Sequence, residues 1–265
     1  MFDLAALESA VANTIFAGNL HFSPVTDSTN TDALEAARAG APHGSVYFAD
    51  EQLAGRGRGD HTWQSAPGEG LYLSVLLRPR ITALRLSLLP LAAGLAAADA
   101  IRAVSGLRID LRWPNDLLIG PRKAGGILVE ASSEANAESG TIAFAVVGIG
   151  INVHQRSFAP DLSTPATSLD MESGHCISRQ SLLVALLESL QRVAQNLLEA
   201  TAIKTVPMRV EQASTWVRGR MVEVHGPQGC TGVTAGLDEH GFLLVRTTKG
   251  LVTVQTGGIR AAEKG

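Results

Sequence analysis

The sequence predicts an α+β fold: a mixed, largely antiparallel sheet covered by helices on one side, followed by a small C-terminal β-barrel. Three observations carry this. Strand-like and helix-like runs intermix without the regular strand–helix–strand alternation of a parallel sheet. The stretch Ile81 to Val104 reads as helix and is nearly apolar all round, as a central core helix must be. Beyond Trp216 the pattern breaks into short strands between turns at Gly226 to Gly229, Asp238 to Gly241 and Lys249-Gly250. A boundary near residue 214 divides the chain into a main domain, 1–214, and a barrel domain, 215–265.

Each element has its own signal. Leu4, Leu7 and Val11 share one face of a short helix over 4–12. His21 to Val25 reads as a strand. The helix from Ala33 to Ala39 is preceded by Ser28, Thr29 and Asn30, all good N-caps. One cap needs one side chain, so three adjacent polar groups at a helix N-terminus also suit a small polar ligand. Strands follow at Gly44 to Ala49, Leu71 to Leu77 and Leu107 to Trp113, the last stopped by Pro114. Asn115-Asp116 turns into a hairpin of Asp116 to Ile119 and Lys123 to Glu130. Ile142 to Asn152 is a buried strand in which Gly148 and Gly150 allow close backbone approach. After a polar linker, 155–165, Leu182, Leu186, Leu190, Val193 and Leu197 recur at helical spacing.

With 265 residues, 45% of them hydrophobic, the chain can bury a sizeable core. A net charge of −3 argues against a general nucleic-acid binder. The uncharged run Leu86 to Ala98 is shorter than the ~20 residues a membrane span needs. The start, Met1-Phe-Asp-Leu4, has no basic segment of a signal peptide, so a cytoplasmic location is expected. Cys176 and Cys230 show no metal-site spacing and read as free, buried thiols. His21, His154, His175 and His225 read as isolated, and no metal-ligand set is expected.

Chemistry concentrates in Gln52 and the run Gly55-Arg-Gly-Arg-Gly-Asp-His-Thr-Trp63. Three glycines in five residues disfavour a regular element, so this is a loop, mobile when empty. Arg56 and Arg58 bring bidentate cationic donors and the glycines expose N–H groups, a combination suited to phosphate. A disordered RNA-binding segment shares this composition, but strand-like flanks exclude it. Three further polar clusters accompany the loop: Ser28-Thr-Asn30, Trp113-Pro-Asn-Asp116 with Lys123, and Gly148 to Asn152. They contain no Ser-His-Asp set, activated cysteine or Walker loop. They suit positioning plus charge neutralisation, as when one anion attacks a phosphate. Taken singly, Lys123 reads as a solvated turn residue, Asp116 as a turn former, Asn152 as a strand cap and Trp63 as core.

Taken together, Asp27-Ser-Thr-Asn30, Gln52-Leu-Ala-Gly-Arg-Gly-Arg58, Trp113-Pro-Asn-Asp116, Lys123-Ala-Gly-Gly-Ile-Leu-Val-Glu130 and Gly148-Ile-Gly-Ile-Asn152 resemble the motifs of the biotin protein ligases, in order. The resemblance covers the main domain and the small barrel. It implies the class II synthetase-like biotin–lipoate ligase fold with an SH3-like C-terminal barrel. It implies too that biotin attacks the α-phosphate of ATP, with Mg²⁺, to give biotinyl-5′-AMP, from which a lysine of a biotin carboxyl carrier protein takes the biotin. By the same resemblance Ser28, Thr29, Asn30 and Gln52 hold biotin's ureido head. Arg56, Gly57 and Arg58 fold over the intermediate, and Lys123 contacts carboxylate and α-phosphate. Trp63 stacks near adenine with Asn115 and Asn152 beside it, and Asp116 assists the acceptor lysine or the metal. Catalysis thus falls to Lys123, Arg58 and Asp116.

Two departures stand out. Gly59-Asp-His61 replaces a further glycine and basic residue, weakening the loop's positive field; Arg112 stands where lysine is common. Family repressors carry an N-terminal helix-turn-helix domain; about 20 residues precede the first strand here, so DNA binding is not expected. Relatives also pair a sheet edge into a homodimer. The competing readings are a lipoate or octanoate ligase or transferase, and a non-catalytic binder of biotin or nucleotide.

Overall fold

The computed structural model describes residues 2–59, 61–79, 81–133, 141–196 and 202–262. Asp60 and Leu197, both named above, lie outside them. A seven-stranded mixed sheet forms the centre, in the order β1 (Leu20–Thr26), β2 (Val46–Gln52), β3 (Gly70–Leu77), β7 (Ile142–Asn152), β6 (Arg122–Ser133), β5 (Asp116–Ile119), β4 (Asp110–Arg112). Only β1 and β2 pair in parallel; every other neighbour is antiparallel.

Alternation along β3 and β7 builds two different faces. Leu71, Leu73, Val75, Ala145, Val147, Ile149 and Ile151 join the main core. That core is filled by α1 (Leu4–Val11), α4 (Leu89–Ser105) and α6 (Arg179–Asn196). The opposite residues, Leu76, Val146 and Phe144, pack on Ala33 and Ala37 of α2 (Thr29–Arg38). Helices therefore cover both faces, not one. The reason is that Leu76, Phe144 and Val146 point apolar side chains to that face, which α2 covers there, while polar side chains occupy the rest.

The apolar stretch from Ile81 is two helices, α3 (Ala83–Leu86) and α4, with Pro90 in the first turn of α4 and Gly106 as its left-handed cap at φ 73°. Together, Ala83–Ser105 has the length and composition to cross a membrane, but 61% of its apolar window is buried inside the protein. Two further helices, α5 (Leu169–Ser173) and α7 (Ala202–Gln212), carried no clear sequence signal. The first has only 5 residues, and the second contains Pro207.

The C-terminal strands β8 (Arg218–His225), β9 (Cys230–Leu237), β10 (Leu243–Thr247), β11 (Gly250–Val254) and β12 (Gly258–Ala261) form an antiparallel sheet ordered β11-β10-β9-β8-β12. Val222, Val224, Leu243, Val245 and Ile259 belong to the same core cluster as the main sheet. Cys176 and Cys230 are free, as expected, but neither is buried. Cys176 follows α5 in a surface loop, and Cys230 opens a strand beside a turn.

Candidate active site

On the α2 side of the sheet lies a cavity of about 750 Å³. Ser28, Thr29, Asn30, Gln52, Arg56, Gly57, Arg58, Trp63, Asn115, Asp116, Lys123 and Asn152 all line it. The structure thus brings together every site residue expected from the sequence.

One end is a closed polar network. Ser28 has the extended backbone of an N-cap (φ −162°, ψ 128°), yet its side chain makes no capping bond. Gln52 Oε1 accepts from the Thr29 N–H (2.9 Å) and lies 3.1 Å from the Thr29 hydroxyl, and Gln52 Nε2 donates to Ser65 Oγ at 2.7 Å. Thr29 Oγ1 lies 2.8 Å from Ser74 Oγ, which donates to Asn30 Oδ1 at 2.6 Å. Asn30 Nδ2 donates to Glu130 at 2.8 Å. Gly148 is required here: a Cβ on it would stand 2.1 Å from Asn30 Oδ1.

The glycine-arginine loop is an irregular hairpin. Trp63 N–H bonds Gly55 O (2.8 Å) and Gly57 N–H bonds His61 O (2.7 Å). A Cβ at Gly55 would lie 2.4 Å from Trp63 O, and Gly59 takes φ +61°, so both positions need glycine. Arg56 grips Glu130 with both terminal nitrogens, at 3.2 and 2.6 Å. Arg58 donates to Gly257 O (2.7 Å) and Asn115 Oδ1 (3.4 Å). Burial pulls the Arg58 guanidinium below its ordinary value, while Asp116 pulls it up. Trp63 lies over the middle of the sheet; a Cβ on Gly150 would meet its ring at 2.6 Å.

Cations gather at the other end. Asp116 Oδ1 is 2.5 Å from Lys123 Nζ, and Asp116 Oδ2 accepts from Arg112 Nε and Nη2 at 3.0 and 2.7 Å. Burial alone would raise the Asp116 carboxyl, but Lys123 and Arg112 outweigh it and hold it below the ordinary carboxylate range. With Arg58 close by, positive charge stays in excess there. Lys123 Nζ also stands 5.5 Å from the Trp63 ring centroid. A register shift puts Lys123 on this face. Leu117 pairs with Gly125 and Leu118 with Lys123, so Ala124 is an extra residue on β6 and turns into the core. Asn115 Nδ2 donates to Ile127 O (2.7 Å), and Asn152 Nδ2 donates to Thr167 O (3.0 Å). Both amides are thus partly committed to holding the cavity wall.

Several contributors escaped the sequence reading. Glu130 was legible only as a motif's last letter. Ser65 and Ser74 sit in otherwise ordinary strand or loop contexts. His225, Gly226 and Thr256 to Arg260 bring the C-terminal sheet to the cavity rim; the Gly257-Gly258 pair was the available signal. His154 is not isolated: its Nδ1 lies 2.8 Å from Asp170 Oδ2. With Cys176 they place three ligand-type atoms within 4.8 Å of one another. Asp170 Oδ1 accepts from Ile177 N–H at 2.8 Å, so Asp170 ties the start of α5 both to the chain just after β7 and to the segment leading into α6.

The architecture and the cavity place the chain in the biotin–lipoate ligase fold. A model of the biotin/lipoate A/B protein ligase family matches residues 22–152. The chain is 32% identical over 244 residues to the bifunctional ligase/repressor BirA of Bacillus spizizenii, across 91% of this chain and 73% of the relative. It is 32% identical over 235 residues to the biotin--[acetyl-CoA-carboxylase] ligase of Paracoccus denitrificans, across 85% and 93%. The biotin protein ligase from Aquifex aeolicus, solved in complex with biotin and ATP, superposes with a TM-score of 0.78 at 29% identity, over 92% of this chain and 98% of that one. The chain belongs to the biotin protein ligase family.

Proposed function

We propose that this protein activates biotin with ATP as biotinyl-5′-AMP, releasing pyrophosphate, and passes the biotin to a lysine of a biotin carboxyl carrier protein, releasing AMP, within the cytoplasm. Residues 1–214 bind both substrates, and residues 215–265 form a smaller domain closing the cavity rim. The single observation supporting this most is the cavity's polarity. A neutral hydrogen-bonding network stands at one end and Arg58, Lys123 and Arg112 at the other.

The neutral end suits a ureido group, through Ser28, Thr29, Asn30 and Gln52. The carboxylate of biotin and the α-phosphate repel, and cations bring them together. Lys123 serves here as catalytic residue, contacting both anions and stabilising the charge on the phosphorus oxygens. Arg56, Gly57 and Arg58 close over the product. Asp116 orients Lys123 and Arg112 through its two oxygens, a narrower role than assisting the acceptor lysine. Trp63, Asn115 and Asn152 flank the nucleotide. Both Asp116 oxygens are engaged by cations, so Asp116 offers Mg²⁺ no free carboxylate oxygen; Mg²⁺ would enter with ATP and supply charge neutralisation at the phosphates. Closing the loop excludes water from the labile anhydride.

Incubation with ATP, biotin or lipoate, and a biotin carrier domain, followed by mass spectrometry of the carrier, tests the reading. A biotin-sized gain that disappears without ATP is expected. A lipoate-sized gain would move the protein to the lipoate ligases, and binding of biotin without pyrophosphate release would make it a non-catalytic binder.

A further inference from the structure

We propose that Glu130 is a positioning residue that fixes the hydrogen-bond direction of the biotin pocket and anchors the arginine loop to it. The inference rests on the proposed function.

The direction follows from proton counting. A carboxylate can only accept, so Asn30 must turn its Nδ2 toward Glu130, at 2.8 Å. That leaves Asn30 Oδ1 facing Ser74, whose single proton must go there, at 2.6 Å. Ser74 then has nothing to donate to Thr29. In their 2.8 Å contact the Thr29 hydroxyl is therefore the donor, its single proton going to Ser74 rather than to Gln52 Oε1, which keeps the Thr29 N–H, and the lone pairs of Thr29 Oγ1 remain for a ligand N–H. One buried amide, 4% exposed, passes the sign of a charge on β6 to the N-terminus of α2. Gly148 keeps the path compact, because any side chain there would displace the Asn30 amide.

The same carboxylate takes both terminal nitrogens of Arg56. Two parallel bonds to a planar guanidinium fix its orientation as one bond would not. Glu130 thus touches the biotin end and the loop at once.

Glutamine at 130 preserves shape and removes the constraint. Its amide can donate to Asn30 Oδ1. Asn30 Nδ2 would then donate to Ser74, Ser74 to Thr29, and Thr29 to Gln52 Oε1. The three bonds from residue 130 to Thr29 survive with their directions reversed, the Thr29 proton moves from Ser74 to Gln52, and Thr29 loses an acceptor lone pair for the ligand. Its hold on Arg56 falls to one neutral acceptor.

Steady-state pyrophosphate release, with biotin and ATP varied separately, provides the test for Glu130→Gln against wild type. The expected result is a biotin KM raised about tenfold, with kcat at saturating biotin within about threefold of wild type. Trypsin should also cut the ligand-free loop at Arg56 faster. A biotin KM within twofold of wild type would overturn the proposal. If Glu130→Gln does not fold, Glu130→Asp keeps the charge but withdraws it by one methylene; it should raise the same KM, and an unchanged value would equally overturn the proposal. Wild-type protein that releases no pyrophosphate would instead overturn the functional reading.

Discussion

Asp116, Lys123 and Arg112 form the tightest charge cluster in the site, with side-chain exposures of 15%, 28% and 10%. Replacing Asp116 by Asn leaves two neighbouring cations without their counter-charge. The expected loss of stability is on the order of 3 kcal/mol, measured by urea unfolding. Because the folded carboxyl titrates below its ordinary range, this contribution is fully present above the unfolded value, about 3.9. It disappears as pH falls through the lower folded value. The difference between wild type and Asp116→Asn should therefore stay flat from about pH 5 to 8 and shrink only below about pH 4. Lys123→Ala should slow adenylation by at least about a hundredfold while changing biotin affinity little, since Lys123 meets charge that develops during reaction. Stopped-flow pyrophosphate release and calorimetric titration separate the two. Arg58→Gly should leak the intermediate, seen as biotin on bystander lysines by mass spectrometry. At this scale the sequence was most legible, because charge and amide content are written in residue identity. Partners were not: nothing in the order of letters ties Arg56 to Glu130, 74 residues away.

Glycine does more between strands than within the loop. Gly148 and Gly150 clear space for Asn30 and Trp63 respectively, so the flat floor of the cavity is set by two missing side chains on β7. Gly148→Ala should raise the biotin KM at least about tenfold and cost about 1–3 kcal/mol, the usual cost of overpacking. Thermal melting beside steady-state kinetics checks both. The strands of the sheet were readable from alternation and turn residues, and β7 coincides with the expected 142–152. Two element-level features were hidden. The bulge at Ala124 gives no compositional signal, yet it decides that Lys123 faces the cavity. The loop 55–63 was expected to be a mobile segment. What its composition did not show is that its glycines permit a hairpin too tight for other residues.

Across the whole molecule, the C-terminal sheet is a wall of the site as well as an appendage. Arg58 donates to Gly257 O, and the buried Trp113 indole donates to Gly241 O at 3.0 Å. A Cβ at Gly241 would fall 2.6 Å from the Leu91 side chain of α4. The boundary near 214 therefore marks a change of pattern rather than a gap in packing. A chain ending at residue 214 should aggregate or melt without cooperativity, whereas the intact chain should give one calorimetric transition, because a single core cluster runs through both sheets. The sequence separated the two parts by their turns. It could not show that their cores merge, since long-range packing leaves no periodic trace.

The central claim is that a neutral pocket and a cationic loop bring one carboxylate and one phosphate together. A crystal structure with a stable biotinyl-5′-AMP analogue tests it most directly. The account predicts the ureido ring against Thr29 and Gln52, the phosphate within hydrogen-bond reach of Lys123 and Arg58, and residues 55–63 closed over it. An analogue bound with that loop turned away and Lys123 in bulk solvent would contradict it.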